Sequence, residues 1–232
     1  AKFKLSEDST LDISYEYNDN RRFIDRGIPT GVHGKPAKEL DDVFFGDRDE
    51  SDAEFEAQII RAALQHKFSE GLKARFDLVY GDYDKYYSNF YATAYDEGTQ
   101  EVTLSGYEDS TERESITLSG GLIGEFETGS ILHTIVTGAE YIGSSNDNFR
   151  NRPSASSTLT LSNLSNFSGT FSDFGDKTEA NLDVTSLFIQ DEITLTDYLD
   201  LVLGARYDRI DFDVDVFDEF GNSTPQGQVD EE

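Results

Sequence analysis

Three aspartates near the end of the sequence have a spacing that could bind a metal ion. Asp211, Asp213 and Asp215 alternate like the first oxygen ligands of a calcium-binding loop. A loop of the EF-hand type needs Gly where Val216 stands and a bidentate Glu where Asn222 stands. We therefore predict that the three carboxylates lie on one face of a solvated strand.

No other group of residues has the spacing of a catalytic or metal-binding motif. His33, His66 and His133 lie in separate segments, whereas zinc ligands follow short, defined spacings. The sequence has no cysteine, which excludes disulfides and thiolate-bound metals. It also has no nucleophile elbow and no phosphate-binding glycine loop. We expect no enzymatic activity.

The amino-acid composition excludes some classes of protein and favours others. A formal net charge of -28 argues against a nucleic acid as partner, because phosphates bind surfaces with an excess of Lys and Arg. Tyr and Phe are abundant, Gly is frequent and Pro is scarce, which is typical of β-sheets with glycine turns. No stretch reaches the roughly 18 to 20 apolar residues of a membrane-spanning helix, but a barrel strand needs only about 9 to 11 alternating residues.

Apolar and polar side chains alternate in one segment after another, which predicts β-strands with two different faces. From Leu72 to Tyr80 the apolar residues alternate with a face that includes Lys73, Arg75 and Asp77. Such a charged face suits a wet lumen better than a dry core, so the apolar face is expected to contact lipid. Tyrosines at the ends of the apolar faces would then form an aromatic girdle at the bilayer surface: Tyr15, Tyr17, Tyr80, Tyr141 and Tyr207.

The joints between these runs are alternately tight and long, as in an up-and-down transmembrane barrel. The tight joints are Glu7 to Thr10, Ser69 to Gly71, Glu127 to Ser130 and Thr196 to Tyr198. The long joints are Asp19 to Glu54, Asp96 to about Glu114, Ser144 to about Asn181 and the tail after Phe217. We predict an all-β, antiparallel, up-and-down transmembrane β-barrel, of which this chain supplies about eight strands.

Several segments resemble the TonB-dependent outer-membrane receptors that import ferric siderophores. The segment from Asn20 to Pro29, with Gly34 to Pro36 and Phe44 to Asp47, looks like the first long loop of these receptors. Other segments are similar to their barrel strands, namely Phe68 to Leu72, Tyr83 to Tyr91, Gly138 to Tyr141, Phe188 to Ile193 and Leu203 to Asp208. The last two are the most specific to the class.

The resemblance implies a 22-stranded barrel around an N-terminal plug domain, with transport driven by TonB and the inner-membrane proton gradient. Residues 1–232 resemble a middle part of one such barrel domain, so we expect the plug domain and the closing strands to lie outside this chain. The full-length receptor is expected to be a monomer of the bacterial outer membrane, in contact with lipid and lipopolysaccharide. Bridging of divalent cations to lipopolysaccharide is an alternative role for the three aspartates.

The same resemblance directs attention to arginines and tyrosines near the outer mouth. Ferric siderophores are mostly anionic or rich in oxygen acceptors, which Arg and Tyr recognise. The resembling loop supplies Arg21, Arg22 and Arg26, and the alternation that begins at Lys73 directs Tyr83, Tyr87 and Tyr91 into the lumen. We predict that these six residues bind the siderophore. Iron is expected only as part of that substrate, with no cofactor bound directly.

Alternatives remain at this level. The arginines could neutralise acids such as Asp25, and the tyrosines could simply stabilise a tall sheet. The whole protein could be a passive porin or a small structural barrel, which needs neither a plug nor TonB. It could also be a secreted, acidic, carbohydrate-binding β-sandwich, which requires the apolar faces of two sheets to pack on each other.

Overall fold

The computed structural model describes residues 1–31, 34–172, 175–218 and 222–231. They form one ten-stranded sheet in the order β1-β2-β3-β4-β5-β6-β8-β9-β10, with β7 paired to β5. All pairs are antiparallel. The strands are β1 (Lys2–Lys4), β2 (Ser9–Phe23), β3 (Asp52–Ser69), β4 (Leu72–Asp96), β5 (Glu101–Thr128), β6 (Ile131–Asn151), β7 (Ser157–Thr160), β8 (Asp176–Thr196), β9 (Leu199–Phe217) and β10 (Ser223–Glu231).

The predicted fold class is confirmed. Consecutive long strands are neighbours in an antiparallel sheet, and this sheet is an open part of a barrel with β1 and β10 at its two edges. The described residues form ten strands where the sequence indicated about eight, and β1 and β7 contain only three and four residues. Within the described ranges, no helix is both long and apolar enough to cross a lipid bilayer.

The tight joints are confirmed, but one predicted long joint is wrong. The segment expected as a loop from Asp96 to about Glu114 is mostly strand, because β5 begins at Glu101 and pairs with β4 from there to Gly124. The true connection is a short turn in which Asp96 Oδ1 accepts hydrogen bonds from the backbone N–H groups of Gly98 and Thr99. Above the bilayer both faces of a strand are polar, so hydropathy no longer alternates while the backbone ladder continues.

The other long joints are shorter than predicted for the same reason. Strand β2 continues to Phe23 and β3 begins at Asp52, which leaves a loop of residues 24–51. Strand β6 continues to Asn151, and β7 and a 3₁₀ helix (Leu161–Asn166) lie between it and β8. The tail after Phe217 returns as β10.

The apolar face of the sheet is not covered by a second layer in the described part of the chain. Phe76 and Leu203 each leave 56% of their surface exposed, and Leu72 and Leu201 leave 38% and 42%. The described residues form one sheet, whereas a sandwich would bury such side chains between two sheets. The β-sandwich alternative is therefore excluded for this sheet, and the exposed face is the one expected to contact lipid.

Three tyrosines of the predicted girdle share one hydrogen-bonding arrangement. Tyr15 donates to Oε1 of Gln58 at 3.2 Å and Tyr80 to Oε1 of Glu114 at 3.4 Å. Each acceptor lies on the adjacent strand, one same-face step nearer the long loops. Tyr141 repeats the arrangement with Asp183 on β8. The rings thus cover the end of the apolar band while the hydroxyl groups reach polar surroundings, as expected at a bilayer interface.

A compact apolar cluster lies at the loop end of the sheet, beyond the girdle. The loop after β2 and the segment before β8 both pack on the top of the hairpin formed by β4 and β5. The buried members of this cluster, here called the loop core, are Ala37, Leu40, Phe45, Val102, Leu104 and Leu164. Asp47 adds a polar link, since its Oδ2 accepts a hydrogen bond from the backbone N–H of Gly169 at 2.9 Å. The long loops are therefore folded onto the hairpin.

Substitutions at two consecutive residues of β8, Ile189 and Gln190, can test which face of the sheet contacts lipid. Ile189 lies on the apolar face and is 51% exposed, whereas Gln190 points into the lumen. In the full-length protein, Ile189→Lys should lower the free energy of unfolding by about 2 to 4 kcal/mol, because a lysine is then held against hydrocarbon. Gln190→Lys should change it by less than about 1 kcal/mol, because the lumen is wet. Denaturant titration in lipid vesicles measures both, and equal effects would contradict the assignment.

Candidate functional site

The hairpin of β4 and β5 carries the candidate site on its luminal face. The predicted alternation holds from Lys73 to Tyr91, because the register of β4 against β5 is continuous until the irregularity between Ala92 and Ala94. Tyr83, Tyr87 and Tyr91 therefore share the face of Lys73, as the sequence predicted. The site lies above the tyrosine girdle, outside the membrane-spanning part of the strands.

Three tyrosines and two arginines meet there and form what we call the aromatic–arginine cluster: Arg26, Tyr87, Tyr91, Tyr107 and Arg150. The rings of Tyr87 and Tyr107 are stacked, with centroids 5.4 Å apart. The guanidinium of Arg26 lies 4.4 Å from the ring centroid of Tyr91, and that of Arg150 lies 4.9 Å from the centroid of Tyr107. These distances are within the range of cation–π attraction.

Arg26 reaches the cluster from the loop that follows β2. Its Nη1 donates to Oδ1 of Asn89 and to the hydroxyl of Tyr107, both at 3.3 Å. Burial lowers the pKa of Arg26, but the hydrogen bond with Tyr87 and the proximity of Tyr107 raise it by more, so that the net pKa lies above its ordinary value. Asp25 is not an ion-pair partner of Arg26 in the described structure, since its Oδ1 accepts the backbone N–H of Gly27.

Arg150 is held by a buried carboxylate. Asp109 is only 4% exposed, and its Oδ2 accepts from Nε and Nη2 of Arg150 at 2.7 and 2.6 Å. Asn148 donates to the other oxygen of Asp109 at 3.2 Å. Such a two-point contact fixes the plane of the guanidinium. Arg150 thus presents one face of its guanidinium to Tyr107, while Asp109 compensates its charge.

The structure brings three of the six predicted binding residues together and leaves three apart. Arg26, Tyr87 and Tyr91 belong to the cluster. Arg22 lies on the same luminal face, in the cross-strand row of Tyr87 but two strands away. Tyr83 lies lower on β4, with its ring over Gly81. Arg21 lies on the opposite face, where its guanidinium pairs with Asp52 and, at 3.1 Å, with Glu54.

Tyr107, Asp109 and Arg150 were missed by the sequence analysis. Tyr107 and Asp109 fall in the segment predicted as a loop, where both faces of the strand are polar and hydropathy gives no strand signal. Arg150 is brought to them by the pairing of β5 with β6, in which Asp109 stands opposite it. Only the register of distant segments shows this juxtaposition.

The outward face of the same strands is strongly acidic. Seven adjacent strands place a carboxylate at directly opposed positions, an arrangement we call the acidic row: Asp19, Glu56, Asp84, Glu112, Asp147, Glu179 and Asp215. One base, Lys177, contacts two of its members, Asp147 and Glu179. Like charges directly opposite each other repel, so the row leaves a concentrated negative charge outside the barrel.

The described part of the chain contains no group of three or more His, Asp or Glu side chains that could hold a metal ion. Asp211, Asp213 and Asp215 lie on the outward face of β9, as the strand interpretation predicted. His66 contacts Ser9, and His133 contacts Asp191, on separate strands of the sheet. His33 lies outside the described residues. The cluster itself offers hydrogen-bond donors and aromatic faces.

Comparison with known proteins gives a family match over nearly the whole chain. The family model described as TonB dependent receptor-like, beta-barrel matches residues 2–230. The metal-pseudopaline receptor CntO of Pseudomonas aeruginosa is 29% identical over 213 residues, which cover 89% of this chain. The match covers 30% of that relative, so the chain spans less than a third of its length.

Solved structures show the same fold. The siderophore receptor PiuA of Acinetobacter baumannii has a TM-score of 0.75 at 20% identity, over 99% of this chain and 37% of that protein. The open form of the ferric-catecholate import receptor Fiu of E. coli has a TM-score of 0.77 at 15% identity, over 99% and 41%. The ferripyoverdine receptor of P. aeruginosa, solved with ferripyoverdine, has a TM-score of 0.76 at 17% identity, over 100% and 31%.

The ion pair below the cluster gives a prediction for local stability. In the full-length protein, Arg150→Met leaves the buried carboxylate of Asp109 without its cation and should cost about 1 to 3 kcal/mol. The cost is at the lower end of values for buried pairs because the Arg150 side chain is 49% exposed. Hydrogen exchange of the β5 and β6 amides around this pair measures it. Combining Arg150→Met with Asp109→Asn should restore most of the protection, and a double variant as unprotected as the single one would contradict this account.

Tyr86, on the outward face of β4, gives a prediction about pH. Burial and a 2.8 Å hydrogen bond to Glu108 raise its pKa to about 12. A tyrosine ionises near pH 10 in an unfolded chain, so its contribution to folding is complete below that pH and is lost as the pH rises to about 12. Phenolate absorbance should show a group titrating near pH 12 that Tyr86→Phe removes. A variant with an unchanged titration curve would contradict the assignment.

Proposed function

The chain belongs to the family of TonB-dependent receptor-like β-barrels, and we propose that it forms wall and outer mouth of a receptor that takes up a ferric siderophore. The family is one of bacterial outer-membrane receptors, which confirms the predicted localisation. In our proposal the substrate is bound and carried, and iron enters only as part of the chelate. The similarity to a metal-pseudopaline receptor supports the broader class of metal–siderophore complexes.

The aromatic–arginine cluster is the observation that carries the proposal. It lies on the luminal face above the girdle, where a ligand arriving from outside first meets the barrel. Arg26 belongs to a loop that is anchored by the loop core, and Tyr87, Tyr91 and Tyr107 belong to the rigid hairpin. Donors and aromatic surfaces held on packed elements form a preorganised site, which reduces the ordering that ligand binding requires.

Transport in this proposal requires parts beyond the present chain. TonB acts through a plug domain, and residues 1–232 contribute one portion of a single barrel domain. The exposed apolar face contacts outer-membrane lipid, and the acidic surface beyond the girdle is at the level of lipopolysaccharide. The assembled receptor works as a monomer.

A passive porin is the competing function, and its uptake would be independent of TonB. We expect cells that carry the full-length receptor to accumulate the ferric siderophore only while TonB is present. Uptake of the labelled chelate by strains with and without TonB distinguishes the two. Equal uptake in both strains would support the porin.

The binding site is tested with the full-length receptor in detergent. We expect Arg26→Ala to weaken ferric-siderophore binding about tenfold or more, equivalent to about 1.4 kcal/mol, because a guanidinium that lies on Tyr91 and is hydrogen-bonded to Tyr107 is removed. Calorimetric titration measures the affinity. Arg48→Ala is the matched control, since Arg48 lies in the same loop but stacks on Phe44, away from the cluster. Equal losses in both variants would refute the site, and lack of affinity for every metal chelate would refute the function.

A further inference from the structure

Four cations at the luminal mouth have no carboxylate partner among the described residues. Arg26 is hydrogen-bonded to the side-chain amide of Asn89 and to the hydroxyl groups of Tyr87 and Tyr107. Arg113, lower on the same face, donates its Nε to Oδ1 of Asn146 at 3.0 Å. Arg22 and Lys85 also share this face by register, and neither is in an ion pair within the described ranges. Four positive charges are therefore uncompensated in a chain whose net charge is -28.

On the strands at this level, most acids face outward, and the luminal Asp176 is paired with Arg152. The acidic row lies on the outward side of the same strands, separated from the lumen by the sheet itself. Asp109, the acid within the luminal cluster, is buried and paired with Arg150. The alternation of side chains thus leaves an excess of positive charge inside the mouth and an excess of negative charge outside. A cleft lined by one sign of charge concentrates ligands of the opposite sign.

The geometry of Arg26 indicates which negative group fits. One face of its guanidinium is covered by Tyr91, so ligand atoms approach the edge that bears the N–H groups. That edge now makes two hydrogen bonds of 3.3 Å to neutral oxygens, which are long for this type of bond. A carboxylate can replace both with shorter, charge-assisted, two-point hydrogen bonds.

We infer that the ligand of this mouth is a net-negative metal chelate that presents carboxylate groups to Arg26, and not a neutral or cationic chelate. This inference rests on the proposed function and adds the chemical class of its substrate. Arg22, Lys85 and Arg113 contribute long-range attraction, whereas Arg26 makes the direct contact. The tyrosines supply hydroxyl donors and flat surfaces for the rest of the chelate.

The test uses the full-length receptor in detergent and a panel of ferric chelates that differ in charge. The panel contains an anionic citrate complex, a neutral cyclic trihydroxamate complex and a cationic linear trihydroxamate complex. We expect the anionic chelate to bind about tenfold or more tightly than the others, with an affinity that falls as salt screens the mouth. Arg26→Gln should remove most of this preference and leave the affinity for the neutral chelate nearly unchanged.

A second variant, at a distance from Arg26, distinguishes a loss of charge from local misfolding around Arg26. Arg113→Gln keeps a polar side chain beside Asn146. It should weaken binding of the anionic chelate only, and the affinity for that chelate should depend less on salt than in the unaltered receptor. Asp84→Asn, in the acidic row on the outward face, is the matched control and should change each affinity by less than about twofold. Tightest binding of the neutral or cationic chelate would overturn the inference while the proposed function stands. Binding of none of the three would count against both.

Discussion

The hydrogen-bonded register of the long strands is the constraint on which the rest of the structure depends. From β2 to β9 the ladder pairs residues without interruption through the level of the girdle and of the cluster. Because successive side chains point to opposite faces, a continuous register gives every strand the same sidedness. A slip of one residue in any strand would place charged side chains in lipid and apolar side chains in the lumen.

The same sheet serves two environments along its height. Within the bilayer, apolar side chains remain uncovered by protein, and the polar backbone is satisfied by neighbouring strands. Beyond the girdle, the hairpin of β4 and β5 continues into water and provides a platform for the loops. Phe45 and Leu104 are almost completely buried in the loop core, so the dry apolar packing of this chain is concentrated outside the membrane band. That packing holds the loop of Arg26 against the aromatic–arginine cluster.

The distribution of charged side chains depends on the same alternation between the two faces. The chain is acidic as a whole, yet at the outer mouth the luminal face carries an excess of bases and the outward face an excess of acids. Asp82 and Asp84 point outward from β4, and Tyr83 and Lys85, which alternate with them, point inward. The acidic overall composition therefore describes the outward face, and the luminal mouth has the opposite character. In our proposal, electrostatic recognition depends on which face a residue occupies more than on the net charge of the chain.

The sequence by itself determined the fold class, the sidedness of the membrane strands and the positions of the tight turns, because all three follow from local alternation and turn residues. It also selected Arg26, Tyr87 and Tyr91, since parity along one strand and a loop resemblance are local signals. The sequence did not predict the part of β5 above the membrane, because both faces of the strand are polar there and hydropathy does not alternate. Only the tertiary structure placed Tyr107 and Arg150 beside Arg26 and turned Arg21 away, since strand register and loop packing join residues more than 60 positions apart.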